Sequence, residues 1–175
     1  VKRPHRVFIG LGSNLHQPAR QLRRALDELS GVTRTRLVAA SGFYRSAPLG
    51  CPEPQPDYVN AVAELETALP PEALLHELRA IETRHGRRPG YRNAPRVLDL
   101  DVLLFDQKQV SNAILTLPHP RMCERAFVLA PLVELHPELV LPDGRKAADC
   151  LAALGAQRID RLTPQAAEAP EYKVA

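Results

Sequence analysis

The most constraining stretch of this sequence is residues 97–105, Val-Leu-Asp-Leu-Asp-Val-Leu-Leu-Phe, which is apolar except for Asp99 and Asp101. A run of this length and character reads as a buried strand. Side chains alternate along a strand, so the two carboxylates share a face, with Cα atoms roughly 6.5–7 Å apart. Leu98, Leu100 and Val102 fall on the opposite face and need a core, while Val97, Leu103 and Phe105 share the aspartates' parity. The acidic face is therefore not generally polar. Two carboxylates in such a setting repel, and one tends to stay protonated unless a cation joins them. Their spacing suits one hard cation, or two about 3.5–4 Å apart. Asp-x-Asp is a common pattern, and a solvated sheet face accommodates it equally well on its own.

The segments before this strand supply partners for it. Residues 7–11 read as a short buried strand, and Gly10-Leu11-Gly12-Ser13-Asn14 as the turn that ends it. Leu22, Ala25, Leu26 and Leu29 follow at the spacing of one helix face, with Pro18 at the start and Gly31 at the stop. Residues 33–43 read as a long strand. The proline-rich block 46–56 excludes helix and central strand and reads as a stiff loop. Residues 58–67 alternate, with Val59, Ala61, Ala63 and Leu65 on one face and Tyr58, Asn60 and Val62 on the other. Pro70-Pro71 opens a second helix with the stripe Leu74, Leu75, Leu78 and Ile81, ended by Gly86. After the acidic strand, residues 107–110 read as a hairpin arm, 124–135 as a helix interrupted at Pro131, 140–141 as a short strand and 147–154 as a small helix. The order strand, helix, strand, strand, helix, strand is that of a split βαβ unit, hence an α+β sandwich with a mainly antiparallel sheet. A single domain is expected over 1–163, with a mobile tail over 164–175.

Composition narrows the class. The chain has 175 residues, a length that suits one domain. No apolar run approaches the roughly 18 residues of a membrane helix, and the run at 7–11 is too short for a signal peptide. Cys51, Cys123 and Cys150 are odd in number and widely spaced, which disfavours both a disulfide framework and a zinc site and points to the reducing cytoplasm. The net charge of +3 is mild, but Arg84, Arg87, Arg88, Arg92 and Arg96 crowd the segment just before the acidic strand. Such a cluster is either a solvated basic loop or a phosphate contact. Carboxylates, Mg²⁺ and arginines together make a polyphosphate site. The chain has no Gly-x-x-x-x-Gly-Lys-Ser/Thr element, so it is not a P-loop enzyme.

Two further groups are chemically suggestive. His119 stands between Pro118 and Pro120 and suits either a phosphate hydrogen bond or a bond to a backbone carbonyl. Arg125 follows at a helix start. Tyr58 and Asn60 share a strand face beside the proline-rich loop, as befits either core packing or stacking on and hydrogen bonding to a flat heterocycle. Phe127 fits the same two readings.

Several segments, taken in order, resemble the 6-hydroxymethyl-7,8-dihydropterin pyrophosphokinases of folate biosynthesis. They are Gly12-Ser13-Asn14, residues 43–50, residues 55–61, Ile81-Glu82 with Gly86-Arg87, residues 95–101, and Leu117-Pro118-His119-Pro120 with Arg125-Ala126-Phe127. The resemblance implies a ferredoxin-like fold with helices on the sheet's faces, and transfer of pyrophosphate from ATP to the pterin hydroxymethyl group, with AMP released. By the family pattern, Asp99 and Asp101 hold two Mg²⁺ ions, and Arg87 and Arg96 engage the phosphates as the other catalytic residues. His119 and Arg125 hold the phosphates from the opposite side. Leu75, Ile81, Glu82, Val102, Leu115 and Thr116 match adenosine-site positions. The pterin stacks between Tyr58 and Phe127, with Asn60 and the backbone from Ser46 through Ala47 and Pro48 to Leu49 reading its polar edge. Where the family carries a tryptophan in the arginine loop this sequence has Asn93, and it contains no tryptophan at all.

Two rival readings are a basic ferredoxin-like module for RNA and a lapsed relative with a scaffolding role. Only four Phe and four Tyr are present and none clusters as single-strand readers do, which disfavours the first. The intact Asp99, Asp101, Arg96 and His119 disfavour the second. The expected partners are pterin and ATP, with neither nucleic acid nor membrane, and the expected state is a monomer.

Overall fold

The computed structural model describes residues 3–168. Nine residues of β1 (His5–Ser13) form the middle of a six-stranded antiparallel sheet. β1 pairs on one side with β5 (Asp99–Phe105) and on the other with β4 (Tyr58–Thr67). β4 is ten residues long and serves two shorter partners, β2 (Thr35–Ala40) beside its C-terminal half and β3 (Tyr44–Ser46) beside its N-terminal half. β8 (Ile159–Arg161) closes the far edge against β3. The spatial order β5-β1-β4-β2/β3, with every pairing antiparallel, is the ferredoxin-like arrangement expected of a split βαβ unit.

Each face of the sheet carries helices. α1 (Pro18–Ser30) and α2 (Pro71–Arg84) lie on one face, where Leu22, Leu29, Leu74, Leu78 and Ile81 pack on Val7, Ile9, Leu65 and Leu100. α3 (Ala126–Leu135) and α4 (Ala147–Ala153) cover the other through Leu129, Leu132 and Cys150, packed with Phe8, Val62 and Leu104. Pro18 and Pro71 open their helices at positions where a missing N–H costs nothing. The Gly31 N–H closes α1 on the Glu28 carbonyl, and Gly86, at φ +88°, turns the chain out of α2.

Several elements differ from expectation. The strand expected over 33–43 divides: β2 ends at Ala40, after a register shift beside Val38, and the chain bends through Ser41 and Gly42 before β3. A Cβ at Gly42 would lie 2.7 Å from the Arg161 guanidinium, so a larger residue there would displace that side chain. β1 runs on through Gly10, Gly12 and Ser13, so these residues are strand and not turn. In β5, Val102 pairs with Ile9 and Leu104 with Phe8, which leaves Leu103 as an extra residue. Alternation breaks at that point, and Phe105 packs on the α1–α2 side, not on the aspartates' side.

Pro131 does not interrupt α3. An internal proline costs about 3 kcal/mol, whereas burying each large apolar side chain returns roughly 1.5–3 kcal/mol, and Val128, Leu129 and Leu132 are all buried. The hairpin after β5 is made by β6 (Val110–Ser111) and β7 (Thr116–Leu117), not by residues 107–110. The short strand expected at 140–141 is a single bridge from Val140 to Lys146. In the segment expected to be a mobile tail, Pro164–Glu168 forms a short helix, α5, whose Ala167 carbonyl accepts from Arg23. The rest of that segment lies outside the described residues.

Candidate active site

The sheet's register builds the floor of the site. Asp99 pairs with Gly12 and Asp101 with Gly10 on β1; Gly12 in turn pairs with Asn60 on β4, and Asn60 with Tyr44 on β3. Paired residues face the same way. The carboxylates of β5 and the amide of Asn60 therefore stand on one face, separated by two glycines that leave a trench. A Cβ at Gly12 would sit 3.4 Å from Asn60 Oδ1 and 3.8 Å from Tyr58 Cδ1, and one at Gly10 would sit 3.3 Å from Leu103 Cδ2. The result is a cavity of about 130 Å³ over the sheet.

At the β4 end, Asn60 is buried and its amide donates to Ser46 Oγ at 2.8 Å and to the Tyr44 carbonyl at 3.3 Å. Both amide protons are used, so its oxygen is the atom left for a ligand. Tyr58 lines the cavity from β4 and Phe127 from the first turn of α3. Arg125 lies 5.6 Å from the centre of the Phe127 ring. Burial and the charge of Asp99 push the Tyr58 hydroxyl above its usual range, so it stays a proton donor.

At the β5 end, cations surround the two carboxylates. Arg87 Nη1 is 3.4 Å and Arg96 Nη1 3.8 Å from Asp99 Oδ1. Arg87 also pairs with Glu82, whose other oxygen accepts the Leu100 N–H at 2.8 Å. Burial raises the Glu82 carboxyl, against the pull of that N–H. Desolvation in the cleft, together with the charge of Asp99, raises Asp101 to about 7, against the opposing pull of Arg125. Its side chain nevertheless keeps 40 % of its exposure and lines the cavity, so an ion or substrate can reach it.

His119 stands beside Asp101, with Nε2 3.9 Å from Oδ2. The Arg121 N–H donates to His119 Nδ1 at 3.2 Å, so the ring proton is on Nε2 and faces the carboxylate. Burial, aided by Arg125, lowers the imidazole from its usual value and keeps it neutral.

Ser46, Ala47, Leu49, Tyr58, Asn60, Asp99, Asp101, His119, Arg125 and Phe127 thus meet around one cavity, as expected from the sequence. Arg87 and Arg96 reach Asp99 from beside it, and Pro48 is half-buried between two lining residues. The six adenosine-site positions stand apart. Ile81, Val102 and Leu115 are core residues of the α1–α2 side and Leu75 packs against them; Glu82 is buried under Arg87; Thr116 is exposed on β7. Of these, only Thr116 offers an exposed polar side chain.

Residues to which the sequence assigned no contact complete the enclosure. Asn14 is buried, donates to Gln55 Oε1 and the Pro56 carbonyl at 3.1 Å each, and accepts the Arg96 N–H at 2.8 Å. Asn93, at φ 61°, donates to the Gly50 carbonyl at 2.9 Å while its own carbonyl accepts from Gln55 at 2.7 Å. The proline-rich and arginine loops are joined above the trench by these bonds. The alternation Gly10-x-Gly12 within an apolar strand was the available signal for the trench, since glycine there marks a close approach. Nothing local marked the loop contacts.

Among the described residues no cluster of three or more His, Cys, Asp or Glu side chains forms a metal cage. The two aspartates instead suit a hard cation that takes its remaining ligands from phosphate and water, as Mg²⁺ does. Fold and site together define a ferredoxin-like α+β domain whose cleft has a carboxylate–arginine end and an amide–aromatic end.

Residues 8–137 match the family model described as 7,8-dihydro-6-hydroxymethylpterin-pyrophosphokinase. The 2-amino-4-hydroxy-6-hydroxymethyldihydropteridine pyrophosphokinase of Pseudomonas aeruginosa is 49 % identical over 157 residues, covering 90 % of this chain and 96 % of that one. The enzyme of the same name from Haemophilus influenzae is 45 % identical over 158 residues, covering 90 % and 98 %. A solved HPPK-DHPS in complex with substrates superposes with a TM-score of 0.70 at 11 % identity, over 87 % of this chain and 43 % of that chain. The Plasmodium falciparum HPPK-DHPS with pterin and p-hydrobenzoate gives 0.67 at 12 %, over 87 % and 44 %. This chain therefore spans less than half of those two proteins and shares the fold of one part. The chain belongs to the 7,8-dihydro-6-hydroxymethylpterin-pyrophosphokinase family, and it is an enzyme of folate biosynthesis.

Proposed function

We propose that this cleft transfers pyrophosphate from MgATP to the hydroxymethyl oxygen of 6-hydroxymethyl-7,8-dihydropterin. The acceptor oxygen attacks the β-phosphorus, the bond from that phosphorus to the α,β-bridging oxygen breaks, and AMP leaves while the hydroxyl proton is lost. The observation that carries the reading is the row Asp99–Gly12–Asn60, which sets a carboxylate end and an amide end on one face across an open glycine.

Tyr58 and Phe127 hold the pterin ring from its two faces, and Asn60 Oδ1 accepts from its N–H edge, with the backbone of 46–49 completing the recognition. Arg87 and Arg96 neutralise charge that develops on the transferring phosphates, and being fixed beside Asp99 they need little reorganisation to do so. Neutral His119 donates its Nε2–H to a phosphate oxygen, and Arg125 adds charge from α3. Asp99 and Asp101 hold Mg²⁺, two ions in this reading, which when bound draws the phosphate oxygens together and acidifies a hydroxyl beside it. Leu75, Ile81, Glu82, Val102, Leu115 and Thr116 border the adenosine, mainly through backbone and rim.

Residues 1–163 act as one domain around the six-stranded sheet, and the enzyme works in the cytoplasm as a monomer. No described helix is long and apolar enough to cross a membrane. The decisive experiment incubates the protein with MgATP and the reduced pterin alcohol and identifies the nucleotide. AMP with pterin diphosphate is expected; ADP, or no pterin-dependent turnover, defeats the reading.

A further inference from the structure

His85 is a buried ionisable side chain with no part in the steps above. It caps the C-terminus of α2, directly before Gly86 and two residues before Arg87. Its ring is fully buried, with Nδ1 2.8 Å from Gln21 Oε1 and Nε2 2.8 Å from Glu28 Oε1, both partners on α1. The orientation of Gln21 is set independently: its Nε2 donates to the His16 carbonyl at 2.8 Å, which leaves an acceptor toward His85. Glu28 is also an acceptor. Burial alone would raise its carboxyl, but hydrogen bonds from Arg84 and His85 outweigh burial and hold it below the usual range. Both ring nitrogens thus contact side chains of α1, one on each side of the ring.

Charged groups near this ring include Arg24 and Glu28 from α1 and Arg84 from α2; Arg24 lies 4.0 Å and Arg84 2.9 Å from the Glu28 carboxylate. The turn before α1 contributes the His16 carbonyl, which accepts from Gln21, and His16, Arg87, Arg88 and Arg96 line the cavity that His85 also borders. From His85 the chain leads straight into the arginine loop. The Gly86 N–H bonds to the Thr83 carbonyl at 2.9 Å and the Arg87 N–H to the Glu82 carbonyl at 3.0 Å, and the Arg87 guanidinium then reaches Asp99.

We propose that His85 is a positioning residue: buried and bridging Gln21 and Glu28, it pins the end of α2 to α1 and fixes the point from which Arg87 is delivered to the phosphates. The role assigned to Arg87 rests on the preceding reading.

The test compares wild type, His85→Gln and His85→Ala in steady-state kinetics. His85→Gln keeps an amide donor for Glu28, whereas His85→Ala removes both bonds. His85→Ala should lower kcat/KM for MgATP about tenfold or more, since small displacements of a positioned group have effects of this size, and leave KM for the pterin unchanged, and His85→Gln should recover most of that loss. Equal kcat/KM for MgATP in all three proteins, or an equal rise in KM for both substrates, overturns the proposal. Hydrogen exchange at the Gly86 and Arg87 amides of the unliganded protein, corrected for intrinsic rates, gives a readout that needs no turnover. Protection should fall in His85→Ala and be largely restored in His85→Gln; equal protection in wild type and His85→Ala also overturns the proposal. Should wild type form no AMP, the pyrophosphokinase reading fails while the exchange experiment still decides this one. Should His85→Ala not fold, His85→Leu, which keeps the buried volume, takes its place in both measurements.

Discussion

The floor and the roof of the cleft are built by opposite means. The floor is sheet: Asp99, Gly12 and Asn60 are fixed by the backbone ladders of three neighbouring strands, over a core in which Leu11, Ala61 and Leu100 are almost fully buried. The roof is two loops, 47–57 and 86–96, joined by side-chain bonds from Asn14, Gln55 and Asn93. Moving a floor residue breaks a ladder, whereas opening the roof costs a few hydrogen bonds of about 1 kcal/mol net each. On the proposed reading, the metal-binding carboxylates and the pterin amide sit on the first, while Arg87, Arg96 and substrate entry belong to the second.

The largest effects should come from the floor. Asp99→Ala or Asp101→Ala should reduce kcat by at least about 10²–10³-fold, the scale for deleting a group that stabilises developing charge, with the far-ultraviolet circular dichroism unchanged. Retained AMP formation in both variants would break the contrast at its strongest point. Next in size, Gly12→Val should fill the trench beneath Asn60 and Tyr58 and raise KM for the pterin by about tenfold or more, equivalent to about 1.4 kcal/mol. KM for MgATP should change far less; a parallel rise in both would mean that the trench is not the pterin end.

The roof should respond more gently. Asn93→Ala removes the bond to the Gly50 carbonyl and puts alanine at φ 61°, so KM for the pterin should rise about fivefold, the equivalent of one net hydrogen bond. Asn93→Gly separates the two causes, since it tolerates the backbone and still lacks the bond. Exchange over residues 86–96 should quicken in both variants and slow when nucleotide and pterin are bound together. Equal protection in free and ternary states would make the roof as rigid as the floor.

The smallest effect lies away from the cleft. Glu64 accepts from Arg6 at 2.8 Å and stands 2.6 Å from His136 Nε2; burial alone would raise its carboxyl, but those hydrogen bonds prevail and hold it below its ordinary value of 4.5. A depressed carboxyl contributes stability that is full above the unfolded value and lost as pH falls through the folded one. Thermal melting should therefore drop below about pH 4.5 in wild type and drop less steeply in Glu64→Gln, while activity near neutrality is unchanged.

Much of this was legible in the chain because periodicity is local. The stripe of α1 from Pro18 to Gly31, the two faces of 58–67 and the pairing of Asp99 with Asp101 needed only the geometry of a helix or a strand, and the structure has all three. Where a neighbour's contribution outweighed local preference, the reading failed. Pro131 stays helical because the sheet buries the residues around it, Leu103 is bulged because β1 and β5 differ by one residue in register, and β3 and β8 are three residues each, too short for any pattern.

The sequence alone determined which side chains could do the chemistry: two carboxylates in register on one strand, the arginines before them, and an aromatic with an amide on another. The tertiary structure alone decided that these meet, because β1 lies between β4 and β5 and brings two glycines into the row. It also decided that Asn14, Asn93 and His85 matter, since the side-chain and loop bonds described for them span 38 residues or more from Asn14 and Asn93 and more than 50 from His85, distances over which no sequence periodicity reaches.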